Sequence, residues 1–224
     1  MLVLFDVDKT LFMNSDPLMG RATTDAIEAV WGRRLADDAI KYVDHPGQTA
    51  TRITRLLLQA DGLADEEIDS GLSRWCKEVS ACYVELLSGA DTSAWYASEG
   101  AAEAIAQIEH RALLTGNPEP VARVRLELIG LAHLFTRGQG AFGCDAEDRP
   151  TLIDLARQRA GDWPREDTVA VGDTVADITG AREAGVRVVG FAPEGQMEEL
   201  AGADVVIERM ADLGGALAQL GTRG

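Results

Sequence analysis

Short apolar runs recur along this chain at Leu2–Phe5, Ala112–Thr115, Leu134–Thr136, Thr168–Val171, Val186–Phe191 and Val205–Ile207. Helix-length patterns lie between them, at about Gly100–Glu109, Pro118–Gly130, Pro150–Ala160, Ala176–Ala184 and Asp212–Leu220. Strands that alternate with helices over short connections pair in parallel, and the sheet they form needs cover on both faces. The nearly continuous apolar character of Thr168–Val171 predicts a central strand. The pattern therefore predicts an α/β fold with a doubly wound, Rossmann-like parallel-sheet core.

One stretch breaks the alternation. Between about Asn14 and Ala97 the amphipathic runs are Thr23–Trp31, Thr49–Gln59, Ala64–Trp75 and Cys76–Leu87, separated by turn signals such as Asp61-Gly62 and Ser88-Gly89-Ala90-Asp91. This pattern predicts an inserted α-helical cap domain over residues 14–97, with the core built from residues 1–13 and 98–224. The insertion leaves the core just after Asp8 and returns before the second strand, so it is expected to lie over the strand exits as a lid.

At 224 residues the chain is long enough to bury a core that carries such an insertion. Its formal charge of -16, from 37 acidic and 21 basic residues, argues against a general nucleic-acid partner and makes any anionic ligand depend on local cations. No window approaches the roughly 20 apolar residues of a membrane span. Met1 leads directly into the apolar run without a basic region or a small-residue cleavage site, so a cytoplasmic protein is expected. Cys76, Cys82 and Cys144 form no CxxC pair and are read as reduced, mostly structural thiols, with a Cys76–Cys82 bridge as the alternative pairing.

Four polar clusters stand at the predicted strand exits or helix starts. Asp6 and Asp8 follow the first apolar run, and in an open α/β sheet residues at a strand's carboxyl end face the ligand crevice. Thr115-Gly116-Asn117 supplies a hydroxyl and, through Gly116 and Asn117, backbone amides able to wrap an anion. Asp148-Arg149-Pro150 places a cation before a predicted helix, with Arg137 as a nearby competitor. Gly172-Asp173-Thr174-Val175-Ala176-Asp177 puts two acids after the central strand.

Together these parts describe a phosphoryl-transfer site. Asp6 can attack phosphorus and form an acyl phosphate, while Asp8 protonates the leaving oxygen and then deprotonates the attacking water. Mg²⁺ takes hard oxygen ligands, which Asp6, Asp173 and the Asp8 carbonyl supply. Thr115, the Asn117 amide and Arg149 are positioned in sequence to hold the non-bridging oxygens.

The same residues resemble the haloacid dehalogenase-like hydrolases, specifically phosphatases with a helical cap such as the phosphoglycolate phosphatases. Asp6-Val7-Asp8-Lys9-Thr10-Leu11 matches the first motif, Leu113-Leu114-Thr115-Gly116-Asn117 the second, Arg149-Pro150 the third, and Gly172–Asp177 the fourth, in the family's order. The resemblance implies a Mg²⁺-dependent phosphatase with Asp6 as nucleophile, Asp8 as acid/base and Asp173 as the main metal carboxylate. It also implies that Asp177 supports the metal site or the third-motif cation. Two positions depart from the family pattern: Lys9 stands where many relatives have glycine, and Arg149 where lysine is commonest. In the insertion, His45-Pro46-Gly47-Gln48-Thr49 resembles the loop that related caps present to substrate, making Gln48 and Thr49 candidate substrate contacts.

The expected reaction is hydrolysis of a small phosphorylated metabolite, with phosphoglycolate or a sugar phosphate implied by the resemblance. A dehalogenase is disfavoured because Asp8 is present to protonate an alcohol leaving group. A phosphomutase of the same fold, or an idle phosphometabolite-binding module, are the alternatives.

Overall fold

In the computed structural model, residues 1–36, 38–43, 46–195 and 197–221 are described. Five strands, β1 (Leu2–Phe5), β2 (His110–Leu113), β3 (Thr168–Gly172), β4 (Arg187–Phe191) and β5 (Val205–Ile207), form one parallel sheet in the order β2-β1-β3-β4-β5. Every residue of β1 and β3 is buried, as expected of central strands covered on both faces.

Alternation along the strands divides the core into two layers. Val3, Phe5, Val169, Val171 and Val189 pack against α4 (Ala101–Ala106), α5 (Glu119–Leu128) and α8 (Leu213–Gly221). Leu2, Leu4, Ala170 and Val188 pack on the other face against α6 (Arg149–Arg159) and α7 (Val175–Ala184). The connection from β1 runs outward to β2, whereas that from β3 runs the opposite way to β4. The connections leaving these two paired central strands therefore part in opposite directions at the carboxyl ends, leaving the crevice in which ligands bind in such sheets.

Between β1 and α4 the chain forms α1 (Leu18–Trp31), α2 (Ala50–Ala60) and α3 (Asp65–Ser88). These helices share their own buried cluster, in which Ala22, Ala26 and Ile27 meet Leu57, Leu58, Ile68, Trp75, Val79 and Tyr83. The start of α2 docks on the core. Thr49 caps the helix by accepting from Arg52 N at 3.2 Å, Ala50 N donates to Gly116 O at 2.7 Å, and Thr51 Oγ1 donates to Gly143 O at 2.7 Å.

The structure corrects three sequence expectations. Leu134–Thr136 is not a strand: Ala132–Leu134 forms a short 3-10 turn, and Phe135 plugs the core edge-on to Phe5, with ring centroids 5.9 Å apart. Ala64–Trp75 and Cys76–Leu87 are not two helices, because no breaker separates Trp75 from Cys76 and the amphipathic stripe continues through all 24 residues of α3. The cysteines are not all reduced thiols either, since Cys76 is bonded to Cys144 with their Cα atoms 6.0 Å apart, while Cys82 is free. A Cys76–Cys82 bridge is ruled out by the helix, which turns about 240° and rises about 9 Å over six residues.

The Cys76–Cys144 bond joins α3 to a core loop across 68 residues of sequence. Closing a loop of this size restricts the unfolded chain by roughly 4 kcal/mol in the chain-entropy account. Cys144→Ser, or reduction of the wild type, is expected to lower stability by about 2–4 kcal/mol. For a chain of this length that corresponds to about 5–15 °C in Tm. Calorimetry with and without reductant measures the change, and an unaltered Tm on complete reduction would contradict it.

Candidate active site

Asp6 follows β1 directly, and its backbone N–H still donates to Val171 O, so the strand pairing with β3 carries it to the crevice floor. The chain then turns tightly, with Leu11 N and Phe12 N both donating to Val7 O. Lys9 occupies the left-handed region at φ 57°, a conformation that glycine adopts without steric cost. The Lys9 ammonium donates to Met13 O and remains at the rim.

The end of β3 supplies Asp173, and the first turn of α7 supplies Asp177. Thr174 caps α7: its hydroxyl accepts from Asp177 N at 3.2 Å, while its N–H donates to Asp177 Oδ2 at 3.0 Å. A side chain at Gly172 would not fit, since a Cβ there would lie 2.4 Å from Asp177 Cγ. Capping and close packing thus turn the Asp177 carboxylate back towards Asp6.

Asp6, Asp173 and Asp177 place carboxylate oxygens within 4.8 Å of one another. Arg149, at the start of α6, closes this group. Its Nη2 lies 3.4 Å from Asp6 Oδ1 and 2.8 Å from Asp177 Oδ1, Nη1 donates to Leu114 O at 3.3 Å, and Nε donates to Gly47 O at 3.3 Å. The competing Arg137 is exposed and pairs with Glu127 away from the crevice.

Negative charge is in excess here. Burial, followed by repulsion from Asp177, holds the Asp6 carboxyl well above the usual carboxylate range despite the opposing effect of Arg149. Burial and Asp177 likewise push Asp173 up to about 7. Burial alone would lower the Arg149 value, but Asp177 and Asp6 more than offset it and hold the guanidinium charged. Asp177 Oδ1 lies beside Arg149 yet off its N–H axes, which leaves a buried oxygen without an aligned hydrogen bond. Clustered hard oxygens, unrelieved repulsion and an unsatisfied lone pair fit a divalent cation.

The raised Asp173 value has a consequence for stability. The folded protein holds a proton on Asp173 where the unfolded chain, with an ordinary carboxylate near 4, has released it. The associated stability is complete below about pH 4 and is lost as pH rises through about 7. In chelator, Tm is expected to fall between about pH 5 and about pH 8, and to fall less in Asp173→Asn. Equal falls in the two proteins would contradict this assignment.

Asp8 occupies a different environment. Its side chain is 51% exposed, yet Oδ2 accepts from Asn117 Nδ2 at 2.7 Å and Oδ1 from Arg125 Nη1 at 2.8 Å. Its carboxylate is not part of the three-acid group. The buried Thr115 hydroxyl accepts from both Asn117 N and Asn117 Nδ2, so that backbone amide is engaged locally rather than aimed at the crevice as expected. Gly116 underlies the docked loop, because a Cβ there would lie 2.3 Å from Gln48 O.

Asp6, Asp8, Thr115, Arg149, Asp173 and Gln48 all line one cavity of about 480 Å³, together with Met19, Ile40 and Ile53 from the helical segment. Thr49 is placed differently. It is buried, and its hydroxyl donates to Glu147 O at 3.0 Å as well as capping α2, which leaves no free donor for a substrate. His45 lies outside the described residues.

Arg125 belongs to none of the sequence motifs above. A signal was present nonetheless: on the α5 wheel it projects between the buried Val121 and Ala122, and a charged residue on an apolar face needs partners.

Comparison with known proteins bears on the fold and the family. Searching curated proteins returns no match. Among solved structures, a hydrolase from Pseudomonas syringae is 22% identical, with a TM-score of 0.62 over 97% of this chain and 98% of that one. CbbY from Rhodobacter sphaeroides, in complex with xylulose-(1,5)bisphosphate, is 20% identical, with a TM-score of 0.64 over 95% of this chain and 96% of that one. A predicted phosphoglycolate phosphatase from Haemophilus somnus is 20% identical, with a TM-score of 0.56 and 95% of both chains covered. At these identities the likeness is one of fold. The family model for haloacid dehalogenase-like hydrolase matches residues 1–185, a span that contains Asp6, Asp8, Thr115, Arg149, Asp173 and Asp177, and the chain belongs to that family.

Proposed function

We propose that this chain is a Mg²⁺-dependent phosphomonoesterase acting on a small phosphorylated metabolite through an aspartyl-phosphate intermediate, with residues 14–97 serving as a cap over the crevice. The observation that carries the reading is the contrast between two carboxylates two residues apart. Asp6 is buried beside Arg149 and two other acids, whereas Asp8 is half exposed and held by neutral and cationic donors from α5 and its preceding loop. Unlike environments suit unlike roles.

In the first step an Asp6 oxygen bonds to phosphorus, the ester P–O bond breaks, and Asp8 delivers a proton to the departing alkoxide. In the second, Asp8 takes a proton from water, the water oxygen bonds to phosphorus, and the Asp6–phosphorus bond breaks to release phosphate. Arg149 and the Thr115 hydroxyl stabilise the non-bridging oxygens as charge shifts. Asp6 and Asp173, with the Asp8 carbonyl and support from Asp177, would hold Mg²⁺, which when bound would offset the repulsion between an anionic nucleophile and an anionic substrate.

A phosphate-ester screen in Mg²⁺ or chelator tests the proposal. Metal-dependent phosphate release is expected from at least one sugar phosphate or carboxylic-acid phosphate. Isomerisation of a sugar phosphate without release would favour a mutase. Tight ester binding without turnover would reduce the protein to a binding module.

A further inference from the structure

The steps just described give no role of its own to the buried Arg125 beside the crevice. Arg125 is only 3% exposed in its side chain, and it touches three separate parts of the chain. Nη1 donates to Asp8 Oδ1 at 2.8 Å and to Asn117 Oδ1 at 2.9 Å, in the loops after β1 and β2. Nη2 and Nε donate to Asp16 Oδ2 at 2.6 and 3.0 Å, and Nε reaches the Tyr83 hydroxyl on α3 at 3.2 Å. Phe12 and Tyr83 present ring faces to the guanidinium at 5.3 and 5.4 Å.

Asp16 is itself fixed. It is 3% exposed in its side chain, its Oδ1 accepts from Leu18 N at the start of α1, and its Oδ2 accepts from the Tyr83 hydroxyl at 2.6 Å. Burial opposes the charge on Arg125, but Asp8, Tyr83 and Asp16 more than offset that cost. A planar fork can serve acceptors on opposite sides at once, which a lysine ammonium on a flexible stem cannot reproduce.

We propose that Arg125 is a positioning residue for Asp8, aiming its carboxylate at the leaving oxygen and tying that aim to the seating of the helical segment through Asp16 and Tyr83. The inference rests on the phosphatase reading above. Asn117 restrains one Asp8 oxygen and Arg125 the other, so the carboxylate plane is fixed only when both donors are present. The two lateral anchors of Arg125, Asp16 and Tyr83, belong to the segment between β1 and α4. Undocking that segment would remove both.

General-acid help matters when the leaving group needs a proton and little when it does not. The test therefore compares kcat/KM for phenyl phosphate, which needs the proton, with that for p-nitrophenyl phosphate, which has the same ring and departs without one. This ratio reports only steps through formation of the phosphoenzyme, so later hydrolysis does not blur it. Arg125→Met is expected to lose about 10-fold or more in kcat/KM on phenyl phosphate beyond its loss on the nitrophenyl ester. Arg125→Lys, which keeps the charge and is the gentler change, is expected to show a smaller loss with the same selectivity. In an Asp8→Asn background the selective loss from either change should vanish. Equal losses on both esters in the folded Arg125→Lys protein, or a selective loss that persists without Asp8, would overturn this inference and leave the phosphatase reading standing. No turnover of any ester by the wild type would overturn both.

Discussion

Asp6→Asn is expected to lower kcat by about 10³-fold or more for every ester that the wild type hydrolyses, the scale of loss seen when a nucleophile is removed. The amide has nearly the shape of the carboxylate but no anionic oxygen to bond to phosphorus, so the phosphoenzyme cannot form. Folding should not suffer. Burial and Asp177 already hold the Asp6 carboxyl well above its usual range, and a neutral amide removes that repulsion from beside Asp173 and Asp177. Tm in chelator is therefore expected to stay level or rise while phosphate release disappears. Measured together, the two readouts separate loss of chemistry from loss of structure. Full turnover in a folded Asp6→Asn protein would sink the covalent route.

Much of this site was legible because its residues sit at the ends of apolar runs. β1 is read from sequence with its observed bounds, Leu2–Phe5, since a buried parallel strand appears as an unbroken apolar stretch, and the β-branched run Val205–Ile207 likewise marks β5, a partly buried edge strand. Asp6, Thr115 and Asp173 follow because strand exits in a doubly wound sheet converge. The missed features depend on distance in the chain. Arg125 meets Asp8 across 117 positions, and Cys76 meets Cys144 across 68, separations to which periodicity is blind. Leu134-Phe135 reads as a strand for a related reason: a short apolar pair that plugs a core looks in sequence like one that extends a sheet. Arg149 and Arg137 were both open until packing put one against Asp6 and the other in solvent.

Arg149→Met is expected to damage both activity and stability, and the balance between them should depend on pH. Met fills a similar volume but leaves Asp6, Asp173 and Asp177 clustered without the cation that lies 3.4 Å from Asp6 and 2.8 Å from Asp177. Stripping one partner from a buried pair costs about 3–5 kcal/mol when the remaining charge cannot be neutralised. Here it can be neutralised in part, because Asp173 already takes up a proton below about 7 and Asp6 sits well above the usual range. The destabilisation should accordingly be largest at about pH 8 and smaller at about pH 6, and added Mg²⁺ should relieve it at the higher pH. Activity has no such refuge. Loss of a donor aimed at the phosphoryl oxygens is expected to lower kcat by about 10²-fold or more at either pH. Arg149→Lys separates charge from geometry: an ammonium can serve the acids, but it cannot also hold Leu114 O and Gly47 O as the fork does. That variant is expected to keep most of the stability and to lose about 10-fold in kcat/KM, because Gly47 belongs to the loop that closes the crevice from the helical segment. Unchanged kcat in Arg149→Met would show that another cation holds the phosphoryl group.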